Sequence, residues 1–185
     1  DRTSTPLDTS PPSPSTAQGF STFRSALHEI TVKYPAGWKV RPATEPWSFG
    51  RLTFDASDVD VIFDPRLGDD LYLALVSKPL GSLSREDWLD NPWRPGICAG
   101  TEGAGSGGIY FGGAERYWTV SCSRGGSSSA SGHYLRVATD TRGYLIYLHV
   151  ADLRAINEPP YGVGFFNDLL EEVELEYVDP NGSRS

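Results

Sequence analysis

Two cysteines, three histidines and a run of aspartates are the residues of this 185-residue sequence best equipped for chemistry. Cys98 and Cys122 are its only cysteines, and His28, His133 and His149 are scattered. Two thiolates supply half of a tetrahedral zinc site, so without clustered histidines no zinc centre is expected. The cysteines bracket a glycine-rich excursion and read as a disulfide in preference to two free buried thiols. Closing a loop of that size stabilises a fold by roughly 3 kcal/mol on the chain-entropy argument. Such bonds persist mainly outside the reducing cytosol. Asp55, Asp58, Asp60 and Asp64, with Asp69 and Asp70 nearby, offer oxygen ligands of the kind calcium takes. Their spacing fits no EF-hand loop. A strand would place Asp58, Asp60 and Asp64 on one side, and a solvated acidic edge that resists edge-to-edge pairing is expected. No metal site is assigned.

Gly103, Gly105 and Gly108 match the dinucleotide fingerprint in form. That chemistry needs a strand before and a helix after, so that a helix amino terminus faces the pyrophosphate. Neither flanks these glycines, so a loop and no cofactor are expected. No serine sits in Gly-x-Ser-x-Gly, and no histidine and carboxylate are placed to activate one, so no catalytic residue is assigned. A pair of carboxylates acting together is invisible in sequence, which keeps a small extracellular hydrolase as the alternative. Trp47 and Trp93 lie in proline-containing loops, where burial is less assured than for Trp38, Trp88 and Trp118. They are the candidate ligand-binding residues.

Residues 1–19 hold four prolines and eight serines or threonines, with one aliphatic side chain larger than alanine. They cannot bury enough apolar surface to offset ordering entropy and read as a disordered linker with polyproline character. Residues 20–178 form one globular domain, and residues 179–185 a flexible tail. Hydrophobic residues make up 38% of the chain, and five Trp, nine Tyr and eight Phe are enough bulky apolar surface for a core. The formal charge of −8 repels phosphate backbones and anionic lipid, which argues against a nucleic-acid partner. No apolar run is long enough to span a bilayer. The sequence starts at Asp1 and contains no Met, which leads us to expect a mature form or a fragment whose preceding segment is a membrane anchor or lipoprotein signal. Nineteen residues at polyproline rise reach about 60 Å, enough to hold a domain clear of a bilayer.

Period-two patterns and apolar runs predict strands at 30–34, 38–40, 51–54, 59–63, 71–76, 116–120, 134–138 and 144–150. Ser84 with Asp87 predicts a capped helix to Leu89, ended at Asn91-Pro92. Phe166, Leu169, Leu170 and Val173 form the apolar stripe of a second helix, over 163–173. The fold class is therefore α+β: an antiparallel sheet of about six to eight strands packed with a few helices.

The segment Ile30-Thr-Val-Lys-Tyr-Pro-Ala-Gly-Trp-Lys-Val40, with its Tyr34-Pro-Ala-Gly-Trp38 turn, resembles the opening of PsbP-like domains. These are the superfamily of extrinsic photosystem subunits, bacterial secreted lipoproteins and Ran-binding relatives. The sequence also looks like actinobacterial membrane-anchored ectodomains. The resemblance implies a PsbP-like sandwich over residues 20–178. It leaves the partner open, because fold does not determine function. The expected role is a non-catalytic, extracytoplasmic module that binds a protein or small ligand and meets the membrane only through its tether.

Overall fold

A computed structural model describes residues 19–91, 93, 104–106, 117–123, 131–151, 163–171 and 173–175. Ten strands and two helices lie among them. In chain order they are β1 (Phe20–Ser25), β2 (Ile30–Pro35), β3 (Lys39–Arg41), β4 (Asp60–Phe63), β5 (Leu71–Pro79), α1 (Arg85–Leu89), β6 (Ala104–Ser106), β7 (Tyr117–Ser123), β8 (Ser131–Ala138), β9 (Arg142–Val150), α2 (Val163–Leu170) and β10 (Val173–Leu175). The strands form two antiparallel sheets instead of the single one expected. One has the order β1-β2-β10, the other β3-β4-β5-β9-β8-β7-β6.

Alternation along the central strands explains the layering, since successive side chains leave a strand on opposite faces. Leu71, Leu73 and Leu75 of β5, and Tyr144, Ile146, Leu148 and Val150 of β9, face one core. It is completed by Ile30 and Val32 of β2, Phe166, Leu169 and Leu170 of α2, and Val173. Tyr72, Ala74 and Val76 of β5, with Leu145 and Tyr147 of β9, face a second core closed by Trp47, Leu52, Trp88 and Leu89. Both faces of the long sheet are thus covered, which is why β5 and β9 read as nearly continuous apolar runs.

Local signals act as chemistry dictates. Ser84 Oγ accepts from Asp87 N, and the Asp87 carboxylate accepts from Ser84 N, a complete capping box. Trp38 N donates to Pro35 O at 3.1 Å, and Gly37 takes φ 97°, the conformation a type II turn demands at its third position.

Other expectations are corrected. Residues 51–54 form no strand, because Leu52 is buried as part of the loop over the second core, where its carbonyl accepts from Tyr72 Oη at 3.0 Å. The second helix ends at Leu170; Val173 begins β10 and pairs with Val32, so its apolar side chain reaches the same core from a strand. Strand β1 carries exposed Phe20, Thr22 and Arg24, too polar a pattern to stand out in sequence. Ala104–Ser106, within the segment expected to be a loop, is β6 and pairs with β7. Asp55, Asp69 and Asp70 are solvent-exposed, but the three aspartates expected on one side of a strand do not form a solvated edge: Asp58, Asp60 and Asp64 are 9%, 1% and 2% exposed. They serve backbone amides and a neighbouring arginine. Asp60 Oδ1 accepts from Ala43 N, Asp58 Oδ2 from Ser48 N and Oγ, and Asp64 from Arg66, whose guanidinium holds the Asp64 carboxyl below its usual range. Gly19, at the end of the expected linker, is tied to the domain through Ala36 N at 2.8 Å, while residues 1–18 and 179–185 lie outside the described residues.

Candidate functional site

Two places combine polar and apolar side chains in ways a core alone does not require. The first is aromatic. The loop before β4 lays Trp47 over the long sheet, α1 brings Trp88, and the chain after α1 brings Trp93. Trp47 and Trp93, assigned separately from sequence, meet edge-on with centroids 5.5 Å apart. Phe49 lies 4.7 Å from Trp47, and Trp88 6.3 Å from it. Trp47 is buried, contrary to the expectation for a loop tryptophan, because its ring closes the second core and its Nε1 donates to Gly50 O. Trp93 and Phe49 are half-buried. The cavity that Trp47, Phe49, Trp88, Trp93, Asn91 and Arg136 enclose holds only about 10 Å³. That is room for at most one water.

Phe49 has φ 65°, a left-handed conformation that bulky side chains avoid. Its ring is held by its neighbours, and the Lys78 ammonium sits 4.2 Å from its centroid, a cation–π contact. Beneath the cluster, buried Arg136 donates to the carbonyls of Trp88, Leu89, Asn91 and Trp93.

The second place is a polar seam between the sheets. His28 occupies the β1–β2 turn and is fully buried. Its Nδ1 accepts from Ser77 N at 3.1 Å, which leaves Nε2 protonated and donating to Asp58 O at 3.2 Å. Ser77 Oγ donates to His28 O, and Arg142 Nη1 donates to Ser77 Oγ. With its basic nitrogen taken by an amide, His28 cannot activate Ser77, so this is a structural clasp and not a nucleophile–base pair. Arg142 Nη2 donates to Glu29 Oε1 at 2.6 Å. Glu29 has φ 51°, at a turn position that suits glycine, where another residue costs about 1 kcal/mol. An open groove of about 320 Å³ runs past Arg24, Ser25, Ala26 and Glu29. Sequence reasoning missed this site because its members are far apart in the chain.

All three histidines are held below their ordinary pKa by burial. At His28 the Asp60 carboxylate works against that effect, as do Asp69 and Asp70 at His149. His149 Nδ1 also meets Tyr147 Oη at 3.0 Å, and its ring stacks on Tyr72. A base whose pKa falls on folding binds more protons when unfolded. Its stabilising contribution is therefore present above about pH 6.5 and lost as pH falls below it. We expect a melting temperature that is flat from pH 7 to 8 and declines toward pH 5, with a slope of up to about 1.4 kcal/mol per pH unit for each histidine. Replacing His28 with Gln should flatten the decline. Unchanged melting between pH 7 and 5 contradicts the assignment.

Among the described residues no group of three His, Cys, Asp or Glu is placed to hold a metal ion, and no helix is long and apolar enough to cross a membrane. Cys98 lies outside the described residues; Cys122 is on β7, its backbone paired with Gly132.

No protein-family model and no curated protein matches the sequence. Solved structures are similar to it in fold. A Bacteroides thetaiotaomicron VPI-5482 protein superimposes with a TM-score of 0.53 at 10% identity, over 86% of this chain and 49% of the other, so the chain spans about half of that protein. LpqN of Mycobacterium tuberculosis, described as involved in cell envelope biogenesis, gives a TM-score of 0.52 at 14% identity over 85% of this chain and 90% of LpqN. Cyanobacterial PsbP (CyanoP) from Synechocystis sp. PCC 6803 gives 0.49 at 9% identity over 90% and 98%. The TM-scores of 0.53 and 0.52 show a likeness in fold alone, and the fold of this chain is one of mixed α and β structure with antiparallel sheets and few helices.

Proposed function

We propose that this domain is a non-catalytic, extracytoplasmic binding module whose contact surface is the aromatic face of Trp93 and Phe49, backed by Trp47. The observation that carries this reading is an aromatic cluster without a chamber. Four large rings converge on a cavity of about 10 Å³, yet two of them remain half-buried at the surface. Rings that cannot enclose a small molecule can still anchor a protein partner, and aromatic side chains are enriched at the centres of such interfaces. The Lys78 ammonium adds a positive charge at the rim. An extracytoplasmic setting is supported by the Pro/Ser/Thr-rich composition of residues 1–19, which suits a tether, and a disulfide between Cys98 and Cys122 would fit the same setting. The neighbour LpqN, involved in cell envelope biogenesis, is in keeping with that setting.

The test is site-specific photocrosslinking in the producing cell. A photoreactive side chain at Trp93 should give one reproducible crosslinked product, competed by excess unlabelled domain. The same group at exposed Asp168 of α2 should not. Equal labelling from both positions refutes the surface. Turnover of ester, glycoside or peptide substrates that is lost on carboxylate substitution would favour the hydrolase instead.

A further inference from the structure

The polar seam joins the two sheets through a histidine that can hold it only while neutral. His28 Nδ1 accepts from Ser77 N at 3.1 Å and Nε2 donates to Asp58 O at 3.2 Å, so the ring ties the β1–β2 turn of the three-stranded sheet to β5 and to the segment entering β4. A proton on Nδ1 turns an acceptor into a donor and sets it against the Ser77 amide. The ring is buried, and a buried charge left unpaired is costly. Asp60 of β4 can pair it. Asp60 is 1% exposed, its Oδ1 accepts from Ala43 N, and its Oδ2 meets no hydrogen-bond donor among the described residues. Asp60 and Arg142 of β9 are the charged groups that act on the ring, the first favouring the imidazolium and the second opposing it. Glu29, the other charged residue of the turn, is engaged by Arg142, and the Asp58 carboxylate by Ser48. From β1 and β5 the ring and its backbone meet only the uncharged Ser25 and Ser77.

Both residues that the ring holds lead to the aromatic face. Asp58, whose carbonyl accepts from His28, also binds Ser48 N and Ser48 Oγ through Oδ2, each at 3.0 Å, and Ser48 stands between Trp47 and Phe49. Ser77 is followed by Lys78, whose ammonium lies 4.2 Å from the centre of the Phe49 ring. Phe49 sits at φ 65°, and a strained backbone of that kind persists only while its surroundings hold it. We propose that His28 is a proton-operated latch: when acid protonates it, the ring leaves Ser77 for Asp60, the β1–β2 turn parts from β5, and the loop carrying Trp47 and Phe49 is released from its strained form. The two states differ in the acceptor open to the ring, so they differ in affinity for the proton. Burial holds the His28 pKa down, so the latch is closed at neutral pH and opens below about pH 6.5. The latch stands on these bonds alone; its control of binding rests on the aromatic face being the contact surface.

The experiment is a nitrogen NMR titration of the full chain from about pH 8 to about pH 5, following the imidazole nitrogens and the amides of Ser77, Ser48 and Phe49. His28 Nδ1, identified by the loss of its signal in His28→Gln, should pass from acceptor to protonated form, and the three amides should shift with the same midpoint. Protection of the Ser77 amide from hydrogen exchange should fall about tenfold across that transition. His28→Gln, which keeps a neutral donor and acceptor, should abolish the amide transition. Asp60→Asn keeps an acceptor for Ala43 N but loses the charge, and should move the midpoint to lower pH. Far-ultraviolet circular dichroism reports whether each variant is folded at each pH. A His28 that titrates without moving the Ser77 amide overturns the proposal. So does an amide transition that persists in His28→Gln, an Asp60→Asn midpoint equal to the parent's, or unfolding of the chain before His28 titrates. The Trp93 photocrosslink, repeated at both ends of the pH range, tests the control of binding: the product should be lost at acid pH in the parent and kept in His28→Gln. A parent product equally strong at both ends overturns that control. No product at either end refutes the contact surface while the NMR transition stands, so the two readings fail separately.

Discussion

Replacing Gly143 with Ala is expected to lower the melting temperature by about 10 °C. In β9, Gly143 lies beneath the indole of Trp88, and a Cβ built there would stand 2.2 Å from Trp88 Cδ2, 2.3 Å from Cε2 and 2.7 Å from Cε3. Relief would require the indole to move, but Trp88 is 3% exposed and wedged against Trp47 and Phe49. The backbone cannot yield easily either, since Gly143 pairs with Lys78 of β5 and Ala138 of β8. Overpacking of this kind costs about 3 kcal/mol, which at this chain length gives the expected shift in melting. A double-mutant cycle isolates the cause. In a Trp88→Ala background the clash has no partner, and Gly143→Ala should become nearly neutral. A cost that persists there would place the strain in the backbone.

That contact also marks the limit of what the sequence made legible. Leu71–Val76 and Tyr144–Val150 announced central strands, because a run covered on both faces must be apolar throughout. Ser84 and Asp87 announced α1, because capping is a local transaction between residues three apart. The missed features are those whose partners are distant. Asp58 and Asp60 looked like a solvated edge because Ser48 and Ala43, whose amides they accept from, are identified only by the path of the intervening loop. Val173 fitted a helical stripe as well as a strand, since both put it against the same core, and only pairing with Val32 decides between them. For the candidate sites, Trp47 and Trp93 were identifiable as loop tryptophans but their mutual contact was not. Glu29 and Arg142 carried no signal, because an ion pair joining a turn to a remote strand has no sequence period.

Arg136 is the other position where a single change should have a large effect. It is 4% exposed on β8, among side chains that face the second core. The end of α1 explains its presence. A helix leaves its last carbonyls without intrahelical donors, and burying them unsatisfied is costly. Here Nη1 donates to the carbonyls of Trp88 at 3.4 Å, Leu89 at 3.3 Å and Asn91, and Nη2 donates to that of Trp93. One planar group thus caps α1 and fixes the path of the chain that follows, which carries Trp93 to Trp47. Its positive charge stands where a helix carboxy terminus favours one. Arg136→Met keeps much of the apolar stem and removes every donor. With buried carbonyls left unpaired at about 1–3 kcal/mol each, a loss of about 4 kcal/mol is expected after partial relaxation. Arg136→Lys should recover only part of it, since an ammonium cannot span four carbonyls with a planar fork. Denaturant unfolding gives the free energies, and tryptophan emission gives the local consequence: a red shift in the still-folded Met variant as Trp93 leaves Trp47. A Met variant as stable as the parent, with unshifted emission, would show that these carbonyls find other donors and that α1 does not depend on the arginine.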